Sequence, residues 1–196
     1  MVDEKPPVPG SVGSPESAVA AAPAAPAAPR VGLRFLLAHP AHALALGLGS
    51  GLMRPGPGTW GTALAWALFV ALAPRGAGDL ATALLLIAAA LILGTWAAQR
   101  TAAMLGVSDP ATIVVDEIVA FWLVLVFLPA GHQLYVLQAI AFLLFRFFDI
   151  VKPPPIRNID RAWKNAAGVM ADDLVAAFYT LVCIALLVRF VPALAS

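Results

Sequence analysis

Cysteine, histidine and charge are all scarce in this chain. Its one cysteine, Cys183, lies inside an apolar run, which excludes a disulfide framework and a cysteine-rich zinc site. The three histidines, His39, His42 and His132, are too scattered for a zinc catalytic set. Charged residues make up 12% of the 196 residues against 61% hydrophobic, and the mean hydropathy is +0.89. A soluble domain of this length needs far more charge to cover its surface. Lipid is the expected solvent. Twelve Lys and Arg nearly balance eleven Asp and Glu, so no nucleic-acid partner is expected, and the placement of charge carries the information.

Residues 1–30 form a tail rich in Ala, Pro, Gly and Ser. It lacks the apolar content to pack and is expected to be disordered; with prolines throughout and no apolar core it does not read as a signal peptide. Residues 31–196 are expected to form one membrane-embedded domain. From Val31 to Leu48 the chain is apolar but broken by Pro40 and flanked by Arg30 and Arg34, which favours an interfacial or re-entrant segment over a span. A loop rich in Gly and Pro, Gly49 to Thr59, reads as non-helical. Five apolar segments follow: Trp60–Ala73, Leu80–Ala98, Ile113–Leu128, Leu134–Ile150 and Val169–Val191. Strand-like alternation is absent and Ala and Leu dominate, so the expected fold is all-α, a polytopic bundle of four to five apolar helices.

Folding these segments back and forth gathers nearly all the charge beyond the tail at one set of helix ends. That face carries Arg54, Arg100, Arg146, Lys152, Arg157, Arg161 and Lys164, and the positive-inside rule makes it cytoplasmic. Asp116 and Glu117 sit about one turn inside the third segment, and Asp172 and Asp173 in the first turn of the fifth. Carboxylates near a helix N-terminus gain about 0.3–1 kcal/mol from the macrodipole, which accounts for one acid at an exposed end. It accounts less well for adjacent pairs among aliphatic residues, which cost up to about 2.5 kcal/mol each toward mid-bilayer. Asp149 is opposed by the dipole, because Arg146, Asp149 and Lys152 step by three along the C-terminal end of the fourth helix. It needs a salt bridge to Arg146 or Lys152, or a bound cation. Thr59 reads as an N-cap, and the glycine loop before it offers free N–H groups to a phosphate.

Hard oxygen ligands suit Mg²⁺, and Arg and Lys suit phosphate. The chemistry expected is metal-assisted attack of water on a phosphoryl group, with Asp116, Glu117, Asp149 and Asp173 as catalytic candidates. Those four and Asp172 are the candidate metal ligands, and Thr59, Arg146, Lys152 and Arg157 the candidate phosphate binders. No cysteine lies near an arginine loop, no histidine lies among the charges, and no Asp-x-Asp follows a strand. Thiolate, phosphohistidine and soluble aspartyl-phosphate mechanisms therefore do not fit.

At these residues the chain resembles the phosphatidylglycerophosphatase A family of bacterial membrane phosphatases. The likeness runs from about Leu36 to Val188, through Gly47 to Leu52, Pro57 to Gly61, Ile113 to Glu117, Phe145 to Arg157, Asp160-Arg161 and Gly168 to Asp173. The resemblance implies a Mg²⁺-dependent phosphomonoesterase of the inner membrane, acting on phosphatidylglycerophosphate in the cytoplasmic leaflet. It leaves oligomeric state open. A CDP-alcohol phosphatidyltransferase would need an Asp-Gly-x-x-Ala-Arg string that is absent. A small transporter or channel with a carboxylate ion site would need charge near mid-membrane, where the segment centres are almost free of it.

Overall fold

The computed structural model describes residues 30–72, 79–129, 131, 133–163 and 165–194. Residues 1–29 of the tail expected to be disordered, His132 and Lys164 lie outside these residues. Among the described residues all regular structure is helical. The helices are α1 (Leu33–Ala38), α2 (Pro40–Ala45), α3 (Pro57–Leu72), α4 (Leu80–Leu105), α5 (Val115–Val126), α6 (Leu134–Val151), α7 (Ile156–Ala162) and α8 (Ala166–Phe190).

By length and composition α4, α6 and α8 can each cross a bilayer. At 1.5 Å per residue they reach about 39, 27 and 37 Å, against about 30 Å of hydrocarbon. Helix α3 is apolar but shorter, at 16 residues. Helix α5 has only 12 residues, about 18 Å, and it is the centre of the bundle. One side of it, with Ile118, Phe121, Val124 and Leu125, joins a core with Leu137, Ala141 and Phe145 of α6 and Ala176, Ala177 and Ile184 of α8. The other side, with Val115 and Val119, joins a second core with Ala97, Ala98 and Leu105 of α4 and Leu46 beyond α2. A helix wrapped on all sides by others need not traverse the lipid itself. That is how its acidic first turn comes to lie inside the protein.

Local chemistry sets the ends. Pro40 separates α1 from α2, and the His39 side chain accepts a hydrogen bond from Ala41 N, capping the second helix. Asp79 caps α4 by accepting from Thr82 N at 2.8 Å, a bond that holds its carboxyl below the usual range. That helix runs on to Leu105 and closes at Gly106, whose φ of 67° is the left-handed cap glycine favours.

Several boundaries differ from the sequence reading. The Gly/Pro stretch is not wholly irregular: Gly47–Leu52 forms a 3₁₀ segment, kinked by positive φ at Leu48 and Gly49. Helix α3 begins at Pro57, where the missing N–H costs nothing, so Thr59 lies within the first turn instead of capping it. Helix α5 begins at Val115, putting Asp116 and Glu117 in its first turn instead of one turn inside. The preceding N–H, of Val114, is used on Ala45 O at 2.9 Å. Helix α8 begins at Ala166, capped by Asn165 through Gly168 N, so Asp172 and Asp173 fall in its second turn. The macrodipole argument for that pair weakens accordingly, since its effect fades beyond the first turn.

Candidate active site

Where α5 packs against α8, the structure brings together three acids from two helices. Asp116, Glu117 and Asp173 each present an oxygen within 4.8 Å of the others. Asp116 and Asp173 are buried, with 5% and 4% of their surface exposed. Neighbouring positions on α5 turn in different directions, and yet both of its acids reach the group, because Asp173 meets them from the facing helix. Asp149 is an electrostatic neighbour of all three.

Arg146 and Asp149 approach from the last turns of α6. Arg146 Nη1 lies 2.5 Å from Asp149 Oδ2 and 3.7 Å from Glu117 Oε1. The arginine therefore supplies the compensation that an acid at a helix C-terminus requires. It also links α6 to the acidic group. The first turn of α3 closes the other side. A Cβ built on Gly58 would collide with Glu117 Oε1 and lie 3.0 Å from Arg146 Nη1, so only glycine lets the helix come this near. One turn on, a Cβ at Gly61 would meet Val114 Cβ at 2.7 Å, so the α3–α5 contact is close along its length.

Lys152 departs from the expected geometry. The helical spacing puts it on the face of Arg146 and Asp149, but α6 ends at Val151 and Lys152 follows with a left-handed φ of 47°. Its Nζ pairs with Asp172 Oδ2 on α8. Asp172 is thus held by a lysine and lies outside the group of three acids. Arg157 is exposed on the first turn of α7, outside the described ion-pair network. Thr59 is half-buried, next to Gly58 on α3. Sequence reasoning valued Gly58 for its free N–H and missed its close approach to Glu117 and Arg146. The available signal was a glycine directly after a helix-starting proline, where a helix former would otherwise serve.

Could these acids hold a cation? Asp116 Oδ1 and Glu117 Oε2 are buried without a hydrogen-bond partner, an arrangement that costs several kcal/mol for a charged carboxylate unless something compensates. Three converging carboxylates with spare oxygens form an all-oxygen donor set, the kind a hard divalent cation takes. The residues fit such an ion.

The phosphatidylglycerophosphatase A family model matches residues 43–188, which include every one of these groups. The chain belongs to the phosphatidylglycerophosphatase A family. It is 43% identical over 150 residues to the phosphatidylglycerophosphatase A of Haemophilus influenzae, covering 76% of this chain and 88% of that one. It is 36% identical over 154 residues to that of Escherichia coli, covering 73% and 80%. A protein of Bacteroides thetaiotaomicron, provisionally named a phosphatidylinositol-3-phosphatase, is 39% identical over 150 residues, covering 72% and 89%. No solved structure matches the chain. Membership in this family makes the chain an enzyme, a phosphatase. The three helices of spanning length agree with a membrane protein, and the transporter alternative is not favoured.

Proposed function

We propose that the chain hydrolyses the phosphomonoester of phosphatidylglycerophosphate to phosphatidylglycerol and phosphate, using Mg²⁺ at the cytoplasmic leaflet of the inner membrane. The observation that carries this is the meeting of three carboxylates with Arg146 beside the N-terminus of α3. The names of the Haemophilus and Escherichia relatives supply the substrate. The orientation rests on the gathering of Arg54, Arg100, Arg146, Lys152, Arg157 and Arg161 at one set of helix ends.

Asp116, Glu117 and Asp173 would hold Mg²⁺, with Asp149 close by. Bound there, the ion would neutralise phosphate charge and lower the pKa of a water. The rest falls to the chain's own groups. Arg146 and the N–H groups at the start of α3 bind the phosphoryl oxygens, whose charge spreads over the equatorial positions as the ester breaks. Asp149 fixes the arginine's direction, and its pairing leaves the rest of the guanidinium for substrate. Water attacks phosphorus in line and loses its proton to a carboxylate oxygen of the group that the ion leaves free. The bond to the glycerol oxygen breaks, and that oxygen takes a proton from solvent.

The test is release of inorganic phosphate by purified protein from phosphatidylglycerophosphate, with phosphatidylinositol 3-phosphate as comparison substrate. Release in Mg²⁺, loss in EDTA and recovery with excess Mg²⁺ are expected. No release from phosphatidylglycerophosphate in Mg²⁺ overturns the proposal, and release undiminished by EDTA removes the metal from it.

A further inference from the structure

Below the acidic group, α3 and the first half of α6 border an apolar groove. Its walls are Ala63, Trp66, Ala67, Val70 and Ala71 of α3 and Tyr135 of α6, and its volume is about 510 Å³. The groove starts near the site. Thr59, Ala63, Trp66 and Val70 follow one another at steps of four, three and four, which stacks them on one helical face. The upper end of the groove, at Ala63, is thus one turn from Thr59 at the start of the helix. From there it runs toward the opposite membrane face, where α3 ends and α6 begins.

One wall is fixed by a polar bond that leaves nothing polar behind. Trp66 Nε1 donates to Gln138 Oε1 at 2.7 Å, and the indole packs 5.8 Å from the Phe142 ring. Gln138 is itself buried, at 2% exposure. The indole's single donor is used inside the protein, so the groove surface is hydrocarbon apart from the Tyr135 hydroxyl.

Position and lining point to one occupant. Ala63 to Ala71 spans nine residues, about 12 Å of helix, and the groove along it is lined by Ala, Val and Trp side chains with one Tyr. A lipid held by its phosphate at the start of α3 can lay a hydrocarbon chain along this face.

We propose that this groove receives an acyl chain of the lipid substrate while the phosphate lies against Arg146 and the first turn of α3. The proposal rests on the lipid-phosphatase function above. It makes Ala63, Ala67 and Val70 determinants of chain recognition, remote from the reacting atoms, and it gives the enzyme a reason to prefer long-chain lipid over a headgroup alone.

The experiment compares dioleoyl and dihexanoyl phosphatidylglycerophosphate as substrates of the wild type, Ala67→Phe and Ala71→Phe, in detergent with Mg²⁺. Leu86→Phe, on the exposed face of α4, is the control. Filling the groove should raise KM for the dioleoyl substrate about ten-fold, the worth of roughly two methylene groups. kcat/KM for the dihexanoyl substrate should stay unchanged, and the control should match wild type on both. Two groove variants are used so that misfolding of one, seen as loss of both activities, does not decide the matter. Unchanged KM for the long chain, equal losses on both chains in both variants, or a loss that follows a change in oligomeric state overturns the groove. Wild type inactive on both chains overturns the phosphatase function itself.

Discussion

Two ion pairs hang from the end of α6, and they differ in what surrounds them. Arg146–Asp149 lies within the helix, both side chains only 12–13% exposed, and its arginine also reaches toward Glu117. Lys152–Asp172 begins one residue past the helix end, with the lysine 28% exposed and the aspartate 2%. In sequence the three α6 charges are equally spaced and look like one set. The left-handed turn at Lys152 divides them into a pair facing the acidic group and a pair that ties α6 to α8 at its rim. The first can act on a bound phosphate. The second can hold in place the helix that carries Asp173.

The largest expected effect comes from breaking the inner pair. Asp149→Asn removes the carboxylate that directs Arg146 and one negative charge beside the three acids. Activity on phosphatidylglycerophosphate should fall about 10²–10³-fold, the usual loss when a preorganised electrostatic group at a reacting centre is spoiled. Detergent-purified protein should keep its helical circular dichroism. Should Asp149→Asn lose no more activity than Asp172→Asn, the division of α6 into two kinds of pair is wrong.

Most of this architecture was legible in the sequence, for reasons that also explain what was not. The long apolar helices announce themselves because lipid permits only internally bonded backbone, and Asp149 stood out because the helix dipole opposes it. Helix starts were less legible. Asn165 and Pro57 decide where α8 and α3 begin, and each lies a few residues before the apolar run that catches the eye. The direction of Lys152 was illegible, since i,i+3 spacing predicts a shared face only while the helix continues. Nor could spacing reveal that α5 is central, because burial on all sides depends on how its neighbours pack. The meeting of Asp116, Glu117 and Asp173 depends on that packing, so the sequence, which singled out Asp149, offered no way to tell which of the other four acids converge.

A middle-sized effect should come from the seam between α3 and the inner pair. Gly58→Ala pushes a methyl group into Glu117 Oε1 and toward both Arg146 Nη atoms. Neither charge is removed, so the change tests placement alone. A loss of about 10–100-fold in kcat is expected, as for outer groups that orient active ones. Thr59→Ala, one residue on, should cost less, because its side chain has no comparable contact with the pair. Equal losses for the two would mean that α3 contributes through its stability and not through its approach to Arg146.

The smallest effect should come from the outer pair, and it should appear in stability before activity. Asp172→Asn keeps the size of the side chain and removes its charge from Lys152, which is open enough to solvent to regain hydration. A cost of about 1 kcal/mol is expected, since a pair with one exposed partner is partly screened. A lower temperature of half-inactivation in detergent would register it. Activity below that temperature should fall less than ten-fold, because the three converging carboxylates remain and Asp173 is still carried on α8. Lys152→Met is the sharper variant: it leaves a buried acid beside the group of three, adding repulsion where Asp172→Asn removes it. The two should therefore differ, with the methionine variant the less active. If they lose activity equally and severely, Lys152 touches the phosphate directly and the outer pair belongs to the site.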